Sequence, residues 1–184
     1  MDVKIGCTGW SYKGWIGPFY PKTMPSTDYL KQYCKTFDIT EVNSTFYKIP
    51  SPHTTTKWFD TTPENFIFTA KMPKQITHDT RLKPGPYLDQ FLNAIQPLGS
   101  KMKFLVIQLP PSLSFAESEI NLDKMVKHLP KNYRYAVEGR HPSGLTEKAY
   151  QFPSERNLCL VWNELQGVLN PAKATTDFVY LRLI

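Results

Sequence analysis

Seven short apolar segments recur along this chain at the spacing of βα units, and each gives way to a polar, charged or aromatic residue. The endings are Gly9-Trp10, Glu41-Val-Asn43, Ala70-Lys71, Gln108, Glu138-Gly-Arg140-His141, Trp162-Asn163 and Arg182. In an α/β barrel the functional side chains sit at the C-terminal ends of the strands. One pattern therefore predicts a fold and a site together.

Strands are expected over residues 3–8, 38–43, 66–71, 103–109, 134–138, 158–162 and 178–183. Helical spacing of apolar residues falls between them. Ser26 is a candidate cap for a helix carrying Tyr29, Leu30, Tyr33, Cys34 and Phe37. Ser51-Pro52 opens the next, with proline in the first turn. Further helices are expected over 87–98, over 122–129 with Asn121 as cap, and over 145–150. Strands alternating with helices predict a parallel sheet, here a TIM-type (β/α) barrel. A doubly wound open sheet is the main rival. Its phosphate turn reads GxGxxG, whereas residues 9–15 read Gly-Trp-Ser-Tyr-Lys-Gly-Trp.

With 184 residues and 41% hydrophobic composition, the chain can bury one sizeable core. A complete eightfold barrel takes about 250 residues. The expectation is a single barrel domain over 1–184 that lacks the last strand and helix. An open seam exposes strand edges, which another chain would cover in an oligomer. The formal charge is +6, but lysine and arginine are scattered, so a solvated surface competes with a polyanion groove. Three cysteines without a CxxC pair and no apparent targeting segment suggest a reducing cytoplasm. No apolar run reaches membrane-spanning length.

Strand alternation sorts the candidate site residues by face. Ile39, Glu41 and Asn43 share one face; so do Phe104, Val106 and Gln108; Ala136, Glu138 and Arg140; and Phe178, Tyr180 and Arg182. Should these faces meet at one mouth, two carboxylates converge with Lys71, Arg140 and Arg182. The functional reading is an acid/base pair with an anion clamp; the structural one is an ion-pair network capping the interior. Asn43, Gln108 and Asn163 add hydrogen-bonding capacity that a simple ion pair does not need. His78 and His141 are candidate proton or ligand groups, or plain loop histidines. A divalent metal on Glu41, Glu138, His78 and His141 is chemically allowed, but no HxH, HExxH or paired-cysteine spacing supports it, and neither a metal nor an organic cofactor is expected. Trp10, Tyr12 and Tyr47 offer a wall for a ligand. Trp15, Phe19 and Phe46 are expected to pack within their own loops.

Several stretches resemble the domain of unknown function 72 family, the YecE-like proteins. They are Ile5-Gly-Cys-Thr-Gly-Trp-Ser-Tyr12, Phe19-Tyr-Pro21, Glu41-Val-Asn-Ser-Thr-Phe-Tyr47, Phe66-Ile-Phe-Thr-Ala-Lys71, Thr77-His78, Gln108-Leu-Pro-Pro111, Glu138-Gly-Arg-His-Pro142 and Val179-Tyr-Leu-Arg182. The resemblance implies a TIM-barrel-like fold and no settled activity. It also implies an eighth strand ending in paired asparagines, which this sequence lacks.

The functional expectation is an enzyme of hydrolase or isomerase type acting on a small polar or anionic substrate, such as a sugar or phosphorylated compound. Glu41 and Glu138 would do acid/base work with His78 as auxiliary proton carrier. Lys71, Arg140 and Arg182 would hold negative charge. Asn43, Gln108, Asn163, His141, Trp10, Tyr12 and Tyr47 would contact the substrate. The alternative is a non-catalytic binding module for nucleic acid or an anionic metabolite.

Overall fold

The computed structural model describes residues 2–83, 85–165, 168–169 and 172–183. It is an α/β fold. Strands β1 (Gly6–Cys7), β2 (Ile39–Val42), β3 (Ile67–Lys71), β4 (Met102–Gln108), β5 (Arg134–Glu138) and β6 (Cys159–Leu160) follow one another in chain order through a six-stranded sheet. Its described pairings are parallel. A second sheet has the order β8-β7-β9, from β7 (Trp162–Leu165), β8 (Val168–Leu169) and β9 (Leu181–Leu183). Helices α1 (Tyr29–Tyr33), α2 (Pro52–Thr61), α3 (Pro86–Ile95), α4 (Phe115–Val126) and α5 (Glu147–Glu155) lie between strands in the sequence. The chain divides into two compact units: Met1–Lys71 with Gln90–Lys103, and Met72–Asp89 with Phe104–Ile184.

The first unit is held by aromatic packing. Tyr20, Tyr33, Phe66 and Phe68 are fully buried, and Tyr20 stacks on Tyr29 with ring centroids 4.1 Å apart. The Tyr33 hydroxyl joins two strands: it accepts from Cys7 N at 2.7 Å and donates to Ile39 O at 2.9 Å. Gly6 is required where β1 meets β2, because a Cβ there would stand 2.0 Å from Ile39 O. Lys101 is buried and its Nζ donates to Phe59 O (2.6 Å), Thr62 O (2.7 Å) and Thr62 Oγ1 (3.1 Å). The ammonium thereby caps the last carbonyls of α2, where the helix dipole is negative. Burial pushes its pKa below the ordinary value.

The second unit is layered along its strands. In register, Phe104 faces Arg134, Val106 faces Ala136 and Gln108 faces Glu138. Val106, Ala136, Cys159 and Val161 form a buried apolar cluster, with Phe178 and Tyr180 packed against it. The Phe104 ring lies 5.0 Å from that of Phe178. Alternation thus puts Phe104, Val106, Ala136, Phe178 and Tyr180 in one contact layer, and the next residues on that face are Gln108, Glu138 and Arg182.

Several boundaries differ from the sequence expectation. The first strand shrinks to two residues, and Val3 and Ile5 are 64% and 73% exposed. The sixth segment becomes two strands, since Val161 N bonds to Val137 O while Trp162 N turns to Tyr180 O. The last strand is only Leu181–Leu183 and belongs to the second sheet. The helix expected over 122–129 begins instead at Phe115. Ser114 and Glu117 form a reciprocal capping box, and Asn121 lies inside the helix, donating to Arg81 O at 3.0 Å. Ser26 opens a 3-10 turn and makes no cap bond there. Ser51 does cap α2, accepting from Thr54 N, with Pro52 at the first position.

Candidate functional site

Glu138 is the centre of the charged arrangement in the second unit. It ends β5 and is fully buried. Both carboxylate oxygens are occupied. Oε1 accepts from Arg140 Nε at 3.0 Å and from Asn163 Nδ2 at 3.3 Å. Oε2 accepts from Gln108 Nε2 at 2.9 Å and from Arg182 Nη1. The backbone explains the convergence. Gln108 pairs with Glu138 across β4 and β5, and Asn163 pairs with Arg182 across β7 and β9. Arg140 returns to the same face two residues after Glu138. Four residues named from the sequence thus meet on a fifth.

Two guanidinium groups thus meet one carboxylate. A buried carboxylate is tolerated because its partners neutralise it and supply hydrogen bonds. Arg182 is sealed in, with a side chain 5% exposed, whereas that of Arg140 is 27% exposed.

Both candidate histidines, His78 and His141, belong to the same unit. His78 is half-buried in a π-helical turn, Gln75–Asp79, and its Nδ1 lies 2.8 Å from Thr77 Oγ1. π-turns are frequent at functional sites. His141 Nδ1 accepts from Ser143 N at 3.1 Å and meets Ser143 Oγ at 2.8 Å, so it caps its own turn. Ser143 Oγ in turn accepts from Phe115 N at 2.8 Å, at the start of α4. A cavity beside His141 is lined by Leu109, Leu113, Phe115, Val137, Phe152 and Leu160. It is apolar and lies on the helix side of β5, since Val137 and Gly139 alternate with Glu138 and Arg140. The charged cluster is on the other face.

In the first unit, Glu41 is buried on β2 and Asn43 follows its end. Asn43 Oδ1 is buried with no hydrogen-bond partner among the described residues. Lys71 ends β3 with Nζ 3.9 Å above the Phe46 ring. Thr45, which sequence reasoning gave no role, fixes these ends: its hydroxyl lies 2.6 Å from Val42 O and 2.7 Å from Lys71 O. The signal was a hydroxyl three residues after a strand's last carbonyl. Trp10 packs edge-on to Trp58 at 5.3 Å. Tyr12 bonds to Thr8 and packs on Trp15 at 4.8 Å. Tyr47 is 72% exposed and lies edge-on to Phe46. Trp15 and Phe19 pack within their own loop and on Tyr20, Tyr33 and Phe37. Among the described residues no cluster of three or more His, Cys, Asp or Glu side chains is placed to hold a metal, and no helix is long and apolar enough to cross a membrane.

Residues 4–184 match the profile described as protein of unknown function DUF72. The chain belongs to the DUF72 family. It is similar to the UPF0759 protein YecE of Escherichia coli strain K12, with 29% identity over 76% of this chain and 49% of YecE. It is also similar to the UPF0759 protein YunF of Bacillus subtilis strain 168, with 26% identity over 81% of this chain and 54% of YunF. The chain spans about half the length of these curated relatives. A crystal structure of a DUF72 family protein from Thermotoga maritima MSB8 matches all of this chain and 74% of that one, at TM-score 0.87 and 30% identity. Another, from Enterococcus faecalis V583, matches 84% of this chain and 68% of that one, at TM-score 0.73 and 21% identity, and speaks to the fold alone.

Proposed function

We propose that this DUF72 protein is an enzyme that binds a small anionic substrate at the Glu138 cluster and acts on it by acid/base chemistry, as a hydrolase or isomerase without an organic cofactor. The carrying observation is the buried Glu138 carboxylate saturated by Gln108, Arg140, Asn163 and Arg182, two of which are guanidinium groups. A structural ion pair needs one cation. A second guanidinium and two amides make a preorganised anion site, where fixed donors act without reorganising. Within this reading Glu138 positions the arginines. Glu41 and His78 supply the proton transfers. The sheets are read as parts of one TIM-type (β/α) barrel, which the chain-order parallel strands and the polar strand ends support.

The test is a turnover screen over phosphorylated and carboxylated sugars and related small acids, with wild type, Glu41→Gln and Glu138→Gln. The expected result is turnover of an anionic member by the wild type. Glu41→Gln should lower kcat by about 100-fold or more. Glu138→Gln should chiefly raise KM. Equal turnover in all three proteins would remove both carboxylates from the reaction. Binding without turnover of any member would leave a binding protein and overturn the enzymatic reading.

A further inference from the structure

The two arginines on Glu138 are not equivalent, and the difference points to a specific docking atom pair. Arg182 is almost sealed, with a terminal nitrogen spent on Glu138 Oε2. Arg140 instead meets Glu138 through Nε, at 3.0 Å, and its side chain is 27% exposed. Its Nη1 and Nη2 make no hydrogen bond to protein among the described residues. A guanidinium is planar, so a bond at Nε fixes the plane and leaves the terminal nitrogen pair as a preset fork. That fork matches the two oxygens of a carboxylate or phosphoryl group, each accepting one N–H.

We infer that Arg140 is the residue that grips the substrate's anionic group, through its Nη pair, and that Arg182 is its buried counterpart, neutralising Glu138. This rests on the proposal that the cluster binds an anion and adds which atoms bind and what they select. The selected chemistry is a terminal oxyanion with two coplanar oxygens. Glu138 is the orienting group: without its hold on Nε the Arg140 side chain would rotate and lose the fork. Lysine at position 140 keeps the positive charge but offers a point donor. It cannot hold Glu138 and present two parallel donors at once.

The experiment titrates wild type, R140K and R140Q with inorganic phosphate and, in a separate arm, acetate, by calorimetry at fixed ionic strength. Folding of each variant is checked by circular dichroism. The wild type should bind at least one of the two probes, the preferred probe naming the phosphoryl or carboxylate source. R140K should bind it at least tenfold more weakly, and R140Q weaker still. Wild-type binding that R140K retains in full overturns the Arg140 assignment and leaves the anion site intact. A wild type that binds neither probe overturns the anion site itself and this assignment with it. Should R140K fail to fold, the same question is put to the wild type through the 15N side-chain signals of Arg140. These should shift as the probe is added, and signals that stay fixed while the probe binds overturn the assignment.

Discussion

The two units close their strand ends by different chemistry. In the first, neutral hydroxyls bridge the chain. Tyr33 spans Cys7 N and Ile39 O, Thr40 Oγ1 donates to Cys7 O at 3.2 Å, and Thr45 reaches the carbonyls of Val42 and Lys71. In the second, charge does the work: two arginines and two amides close on one buried carboxylate. Each hydroxyl bond is local and separable, contributing roughly 1 kcal/mol net. The ionic node is collective, because four donors share one carboxylate. The contrast teaches where damage should be confined and where it should spread.

The strongest way to break that contrast is Glu138→Leu. The change removes the carboxylate that Gln108, Arg140, Asn163 and the sealed Arg182 all bond. Removing one partner of a buried pair costs about 3–5 kcal/mol, so denaturant unfolding should show a loss of that size. A loss under about 1 kcal/mol would mean the node is solvated and the contrast false. The matching change in the first unit is Tyr33→Phe. It strands Cys7 N–H and Ile39 O, and should cost about 1–3 kcal/mol. Hydrogen exchange should localise its effect to β1 and β2; a global effect as large as that of Glu138→Leu would erase the distinction.

Much of the second unit was legible in the sequence. Period-two alternation correctly grouped Val106 with Gln108, Ala136 with Glu138 and Arg140, and Tyr180 with Arg182, because a pleated strand sends alternate side chains to one face. The same alternation predicts Gln108, Glu138, Arg140 and Arg182 at one mouth with Glu41 and Lys71, without saying that Glu138 is the shared acceptor. What the sequence hid was the partition of labour, since nothing in Glu138-Gly-Arg140 says which nitrogen bonds. Asn121 also misled. It resembles a cap, yet the Ser114–Glu117 box, seven residues earlier, offered two reciprocal bonds and set the helix start. The single strand read over 158–162 divides because Val161 and Trp162 bond to different neighbours, a tertiary choice that a local apolar run does not encode.

A smaller and graded effect comes from alkali. Burial first, then the neighbouring Tyr29, pushes the Tyr20 phenol from 10.0 up to about 12, and burial pushes the Cys34 thiol from 9.0 up to about 12. Burial raises Tyr33 as well. Each group keeps its proton when folded and releases it when unfolded. Folding stability is therefore intact below about pH 9 and falls as pH rises toward 12. Tyr20 alone contributes on the order of 1 kcal/mol of loss by about pH 11. Lys101 has the opposite sign, since burial lowers its pKa and the unfolded chain then holds the extra proton below 10.5. Three raised acids against one lowered base leave a net loss in the first unit. Urea unfolding from pH 8 to 11 should show it, and Tyr20→Phe should flatten the slope. A pH-independent midpoint across that range would place these groups in water.

The smallest difference sets two helix caps side by side, one in each unit. Ser51 caps α2 without a carboxylate: its hydroxyl accepts from Thr54 N at 3.2 Å and meets Thr54 Oγ1 at 2.9 Å. Ser114 caps α4 reciprocally: its hydroxyl accepts from Glu117 N at 3.3 Å, while Glu117 Oε2 accepts from Ser114 N at 3.1 Å. The Ser114 hydrogen bonds hold the Glu117 carboxyl below its ordinary pKa. A carboxyl depressed in the folded state adds stability above its unfolded pKa, and that part fades as pH falls through the folded value. Alanine at either serine should cost about 1 kcal/mol near neutral pH. Acid separates the two, because the deficit of Ser114→Ala should shrink below about pH 4 while that of Ser51→Ala stays constant. The same response at both caps would mean that the Glu117 carboxylate contributes nothing, and that the ionic character of the second unit stops at the Glu138 node.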